Sequence, residues 1–410
     1  MDKCEDRPYP EAVVPHFGQA ALGANRWPRW KIECKLARLL LAANSVSLFG
    51  LRRIGKSSVL AGIEMLIREQ GAVPVTLELQ GSHRIEALVG KLVEACEREK
   101  QHGLVEKIRD IYTGATLKAP AAVRAAYRLF SGGKETDDAA SGVADVLPYL
   151  EMALGPLGDR LRQHDKKVIL ILDELPFFCQ NLHGQGGAQP RHIAALVSEL
   201  RRWRREGLTM LLAGSIGFHR LERKLGIDPN LFADLTHETL APLDDAERMI
   251  AALARGCRFD FWTEAHTLAI AAAPPVAYPG FFQAIFLDLE HAAVRRSLTV
   301  DETAALSARA TQKQLEKNFF LQFDERLDYY DPAEQDAAMK LFRALGASAG
   351  SAAAKDLGVA FPEDWQLSQR TKLLTALTQD DFVEKLSEKR IAFASPMVAA
   401  WWDESDALNG

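Results

Sequence analysis

The chain has 410 residues and a formal net charge of −5 at pH 7, with 48% hydrophobic and 26% charged residues, which suits a globular protein of two or three domains. No apolar run is long enough to cross a bilayer, the opening MDKCEDRPYP lacks the apolar stretch of a secretory signal, and the mild acidity gives no global pull on nucleic acid. The five cysteines, Cys4, Cys34, Cys96, Cys179 and Cys257, are scattered and odd in number, which argues against a disulfide framework or a zinc site and fits a reducing, cytoplasmic setting.

Residues 1–24, with their prolines and glycines, read as an extended lead-in. An amphipathic helix follows over roughly Trp30 to Ala43, with Ile32, Leu36, Leu39, Leu40 and Leu41 on or near one face. Ser45 to Phe49 is a short apolar run of strand type, and Ser57 to Glu69 carries Val59, Leu60, Ile63, Leu66 and Ile67 at helical spacing. Between them, Gly50-Leu51-Arg52-Arg53-Ile54-Gly55-Lys56-Ser57-Ser58 fits G-x-x-x-x-G-K-[ST] without mismatch, in the strand–loop–helix setting that the motif needs. The glycines let the backbone of Gly50, Arg52, Arg53, Ile54 and Gly55 curl so that N–H groups face phosphates, and the helix N-terminus adds partial positive charge. Lys56 is placed to reach the β- and γ-phosphates, Ser57 to set its hydroxyl on Mg²⁺, and Ser58 to meet the α-phosphate.

Ala72 to Leu79 reads as a second strand, residues 84–101 as a helix, 102–140 as a mostly helical insertion and 143–163 as a further helix. Val168-Ile169-Leu170-Ile171-Leu172 is a continuous apolar run closed by Asp173-Glu174, the pattern of a central parallel strand covered on both faces. Acids at the carboxyl end of such a strand sit where ligands bind in open α/β sheets. Asp173 is the candidate to hold Mg²⁺ through water, and Glu174 to orient and deprotonate an attacking water. Arg191 to Arg205 is a helix whose basic run (Arg201-Arg202, Arg204-Arg205) reads as a solvated face. Leu208 to Ala213 is the next strand, closed by Gly214-Ser215. Ser215 is either a hydrogen-bond donor to the γ-phosphate or the water, or a local turn cap.

Alternating strands and helices from 45 to about 240 imply a parallel sheet with helices on both faces. Helices at Asp244 to Arg255, Thr263 to Ala273 and Phe281 to Arg296 suggest a helical subdomain able to close over a nucleotide, and 302–329 reads as one long helix. Helices at Ala333 to Leu345, Ser351 to Leu357 and Asp364 to Leu377, then strands around Asp381 to Glu384 and Arg390 to Ala394, read as a winged helix-turn-helix. Its third helix, 364–377, would offer Gln366, Ser368, Gln369, Arg370 and Lys372 to DNA. Acids outnumber bases by roughly three to two over 301–410, which favours packing or protein contact for this module over phosphate neutralisation.

Taken in order, these motifs resemble AAA+-like ATPases, and among them the archaeal-type P-loop ATPase family of the STAND class. The resemblance rests on Arg52-Arg53 in the phosphate loop, the doublet Ser57-Ser58, and Asp173-Glu174-Leu175-Pro176. It rests also on Gly214-Ser215-Ile216-Gly217 and on a winged helix that closes on Phe393 to Pro396 and Trp401-Trp402. It covers roughly 25–410 and implies ATP and Mg²⁺ as cofactors, with Lys56, Ser57, Asp173, Glu174 and Ser215 carrying the chemistry. The order of elements along the chain gives the boundaries 1–44 lead-in and helix, 45–240 ATPase core, 241–298 lid, 299–332 connecting helix and 333–410 winged helix. Two departures stand out: Leu231 to Asp234 holds no arginine where members of the class carry one, and Ala277-Tyr278-Pro279-Gly280 replaces their Gly-x-Pro. Three functions fit: an ATP-driven switch with a protein partner or self-association, an ATP-dependent DNA-handling factor, and a scaffold that holds nucleotide and barely turns it over.

Overall fold

Runs of β-branched and aliphatic residues build the sheet, and their burial fixes their order in it. The computed structural model describes residues 4–16, 23–84, 86–117, 156–185, 188–215, 217–294, 296–387 and 389–409. By contacts the chain divides into two compact units: Met1–Arg7, Arg29–Gly50 and Val59–Leu240 form the first; Pro8–Pro28, Leu51–Ser58 and Ala241–Gly410 form the second. Among the described residues, no helix is long and apolar enough to cross a membrane.

In the first unit, helix α1 (Trp30–Leu41) leads to β1 (Val46–Phe49), and α2 (Lys56–Glu69) to β2 (Val73–Glu78). Helices α3 (Glu86–Arg98) and α4 (His102–Leu117) follow. The remainder of the expected insertion, and most of the helix expected over 143–163, fall outside the described residues; 156–162 are helical. Next come β3 (Val168–Asp173), α5 (Leu175–Gly184), α6 (Pro190–Arg205), β4 (Thr209–Gly214), α7 (His219–Leu225) and β5 (Thr236–Thr239). The strands lie in the order β2-β3-β4-β1-β5, and every pairing is parallel. Strands β3 and β4 are buried at every residue, as central strands covered by helices must be. The polar Thr-His-Glu-Thr of β5 forms an edge, mostly exposed, where pairing on one side alone allows it. Apolar side chains of β2, β3 and β4 pack with Phe178 of α5 and Trp203 of α6 in one core.

Because all strands are parallel, β1, β3 and β4 end on the same edge of the sheet. The chain leaves β1 into Gly50–Ser58, β3 into Glu174 and β4 into Ser215. Strand β1 sits between β4 and β5 while its sequence neighbour β2 lies at the opposite edge. That change of direction makes a switch point, the usual ligand crevice of open α/β sheets.

The second unit begins with α8 (Ala246–Gly256), α9 (Glu264–Ala271) and α10 (Pro279–Ala293). They close on Val13 and Trp27 of the lead-in in a shared core. One unbroken helical run follows: α11 (Val300–Gln314), a π-helical turn (Leu315–Phe320) and α12 (Leu321–Leu327). Thr299 and Glu302 start it with a reciprocal capping box. The last module consists of α13 (Pro332–Ala347), β6 (Ser351–Ala353), α14 (Leu367–Gln379), β7 (Val383–Ser387), β8 (Arg390–Phe393) and α15 (Pro396–Asn409). Its strands form an antiparallel sheet, β6-β8-β7, beside the helices, a winged helix. Phe342, Phe382, Trp401 and Trp402 form its aromatic core.

Two expectations are corrected. Ser351 to Leu357 is not a helix: Ala349 and Gly350 turn through left-handed backbone (φ 52° and 84°), Ser351–Ala353 pairs with β8, and only Asp356–Ala360 winds into a 3-10 turn. The helical preference of alanine yields there to strand pairing. Nor are all the cysteines unpaired. Cys4 and Cys34, with Cα atoms 6.0 Å apart, form a disulfide that pins the lead-in to α1, and a separation of 30 residues gave no sign of it. Two side-chain hydrogen bonds from Arg7 to Glu69 hold the same segment.

Thiol titration in denaturant will therefore count three thiols before reduction and five after it. Replacing Cys4 and Cys34 with serine should cost the first unit about 3–4 kcal/mol, the chain-entropy value for a loop of this size, read by denaturant unfolding.

Candidate functional site

The phosphate loop keeps its curl with two residues in left-handed backbone, Arg53 at φ 70° and Gly55 at φ 100°. For glycine that conformation costs nothing; for Arg53 it costs roughly 1 kcal/mol, so neighbours must hold it. Lys56 is buried and its Nζ donates to the Leu51 carbonyl of its own loop at 3.0 Å. Helix α2 begins at Lys56 with no acid in its first turn, so the partial positive charge of its N-terminus is left unopposed. Ser57 and Ser58 occupy that first turn.

The loop's other contacts come from far along the chain, within the second unit. Arg26 Nη1 donates to the Ser58 carbonyl at 3.4 Å. Gly280, in the first turn of α10, lies so close that a Cβ there would stand 2.5 Å from the Arg53 carbonyl oxygen. A Cβ on Gly55 would meet Pro279 at 3.7 Å. Pro279-Gly280 thus presses directly on the phosphate loop. Gln322 of α12 accepts the Arg52 backbone N–H at 2.7 Å, and Glu325 lies 3.7 Å from the Arg52 guanidinium.

In the first unit, Asp173 is buried at the end of β3. Glu174 follows in left-handed backbone (φ 59°, ψ 33°) and opens α5, with Pro176 in the first turn of that helix. Its Oε2 accepts two hydrogen bonds from Ser215, one from the backbone N–H at 3.0 Å and one from the hydroxyl at 2.9 Å. Pairing of β3 with β4 brings the two strand ends together. Ser215 therefore grips the carboxylate of Glu174.

The basic run of α6 is not the solvated face its sequence suggests: Arg201, Arg202 and Arg204 face carboxylates of their own unit, and Arg205 is exposed. Arg204 is buried and forks onto both oxygens of Asp234 at 2.7 and 2.9 Å, with a further bond to the Leu231 carbonyl. Arg202 pairs with Glu199 and Glu206. Arg370 is half-buried too: it donates to the carbonyls of Trp365 (3.1 Å) and Pro362 (3.4 Å) and lies over the Phe361 ring. Gln366, Ser368, Gln369 and Lys372 are exposed on the start of α14 or just before it, and so is Leu367 at 80%. Burial pushes the thiols of Cys96 and Cys179 up to about 12, so neither is a nucleophile at neutral pH.

Sequence reasoning missed Arg26, Gln322 and the contact of Pro279-Gly280 with the loop. The Tyr-Pro-Gly turn was the one visible signal, since a Pro-Gly pair at a helix start often marks close backbone approach.

A parallel sheet in this order, with a G-x-x-x-x-G-K-[ST] loop after β1 and an Asp-Glu pair after β3, defines an α/β P-loop fold. No protein-family model matches the chain, and no curated protein matches it in sequence. Solved structures do. The Walker-type ATPase PABY2304 of Pyrococcus abyssi superposes with a TM-score of 0.56 at 14% identity, over 95% of this chain and 99% of that one. The ORC2 protein of Aeropyrum pernix, solved in ADPNP–ADP complexes, gives 0.52 at 14% identity, over 100% of this chain and 98% of that one. At such identity the likeness is one of fold.

Gly280→Ala should force the Arg53 carbonyl to move. Overpacking of this kind costs typically 1–3 kcal/mol, and a lowered thermal midpoint of the full chain is the readout.

Proposed function

We propose that the chain is an ATP-driven switch that binds ATP through its phosphate loop and hydrolyses it with Mg²⁺. The observation that carries this reading is the double hydrogen bond from Ser215 to Glu174, beside Asp173 at the end of β3. A carboxylate held by one oxygen keeps the other directed for proton transfer. Lys56 would leave the Leu51 carbonyl for the β- and γ-phosphate oxygens, a stronger partner because it is charged. The Ser57 hydroxyl and the Asp173 carboxylate are hard oxygen donors, which suit Mg²⁺, and the metal would neutralise charge on the phosphates. Glu174 takes the proton from the attacking water, and Ser215 is the positioning residue for Glu174.

In this reading 45–240 is the ATPase core, 241–298 the lid, 299–332 the connecting helix and 333–410 the effector module. A protein partner is the better occupant for the winged helix. Arg370 is committed to local carbonyls, and Leu367 of α14 and Leu386 of the wing are 80% and 55% exposed, a surface unlike that of a phosphate reader.

Lys56→Ala should abolish tight ATP binding in a titration with a fluorescent analogue; unchanged affinity sinks the phosphate-loop reading. Glu174→Gln should keep that affinity and slow turnover by at least the ~10²-fold that a general base contributes. Turnover measured with and without duplex DNA separates the two effector readings: indifference to DNA supports a protein-directed switch, whereas salt-sensitive stimulation would reassign the winged helix to DNA.

A further inference from the structure

The π-helical turn and α12 touch both the phosphate loop and the winged helix, and they do so with alternating residues. Gln322 and Glu325, three apart and so on one face, meet the loop at the Arg52 backbone N–H (2.7 Å) and the Arg52 guanidinium (3.7 Å). Phe323 and Arg326, one step of about 100° around the helix, meet the winged helix. The Phe323 ring packs on Phe382 and Trp401 with centroids 5.8 and 5.6 Å away. Arg326 donates to the Asp380 carbonyl at 2.7 Å, and Asp324 accepts from Trp401 Nε1 at 3.0 Å. All of these groups belong to the second unit.

The Gln322 side chain is buried and used at both ends. Its Oε1 takes the Arg52 N–H, and its Nε2 donates to the Asn318 carbonyl inside the π-helical turn. Asn318 in turn donates from its side chain to Gln314 Oε1 at 2.5 Å. Gln314, Asn318 and Gln322 thus stand in a row over about two turns of helix, joined by one carboxamide pair and one bond to a main-chain carbonyl, and Gln322 rests on the phosphate loop. Phe319 of the same turn stacks on Phe281 (4.9 Å), the residue after Gly280, which itself presses on the Arg53 carbonyl. π-helical turns occur frequently at functional sites.

We infer that Gln322 is a positioning residue that couples the phosphate loop to the winged helix. The inference rests on the ATP-switch reading above. Movement of the loop backbone at Arg52 displaces Gln322, and α12 passes the displacement to Phe382, Asp380 and Trp401 on its other face. The contact is to a main-chain N–H, so the Arg52 side chain is dispensable to it. What matters is an acceptor oxygen at position 322. Without it the bond to the half-buried Arg52 N–H is lost, and the helix loses that grip on the loop.

The test is amide hydrogen exchange of the full chain, with and without Mg²⁺ and a non-hydrolysable ATP analogue, alongside titration of a fluorescent nucleotide. In the wild type, nucleotide should change exchange over 380–402 by about fivefold or more, the low end of usual coupling between sites. Gln322→Met, close in shape and without the acceptor, should still bind nucleotide and lose that response. Gln322→Glu keeps an acceptor oxygen and should retain it. Gln322→Leu serves in place of the Met variant should that variant fail to fold. A full response in Gln322→Met, or none in a nucleotide-bound wild type, overturns the coupling. Absence of nucleotide binding by the wild type overturns the switch reading itself, and the coupling with it.

Discussion

A loop that runs through left-handed backbone at a residue other than glycine cannot hold that shape by itself. That constraint governs the structure around Gly50–Ser58. Two of its residues lie in left-handed backbone, one of them an arginine. The loop therefore borrows its shape from elsewhere: from Lys56 on the Leu51 carbonyl, Arg26 on Ser58, Gly280 against Arg53 and Gln322 on the Arg52 N–H. Three of these four come from segments distant in sequence. Pre-organisation at a binding loop is ordinarily built this way, from rigid neighbours rather than from the loop itself.

The acidic half follows a different logic. Strand pairing alone suffices to place it, because β3 and β4 are adjacent and parallel and must end together. Their ends carry Glu174 and Ser215, and the left-handed backbone at Glu174 starts α5 at once. The carboxylate is thereby fixed by two bonds from a neighbouring strand. A sheet whose central strands are wholly buried makes that spacing hard to disturb.

The parts of the molecule legible in the sequence are those encoded locally. The apolar run of Val168–Leu172 could be little else than a central strand, and the phosphate-loop motif carries its own flanking signals. Features made by long-range pairing were not legible. The edge strand Thr236–Thr239 has no apolar pattern, because its burial is slight. Ser351–Ala353 is a strand only because β8 lies beside it. Cys4 and Cys34 needed the path of the lead-in, and Gln322 needed the position of a helix some 270 residues after the loop it touches. An amide side chain in a polar–apolar helix has no periodic signature that separates such a contact from an exposed one.

The residues Leu51–Ser58 sit in the first third of the chain, yet by contacts they belong with Ala241–Gly410. Dissection of the protein by sequence boundaries would miss this. A fragment ending at Leu240 would retain every letter of the phosphate-loop motif and the whole five-stranded sheet. It would lack Gly280 and Gln322, and with them much of the packing that shapes the motif. A motif search would score that fragment as complete; as a folding unit it would be missing the wall against which its most recognisable sequence is cast.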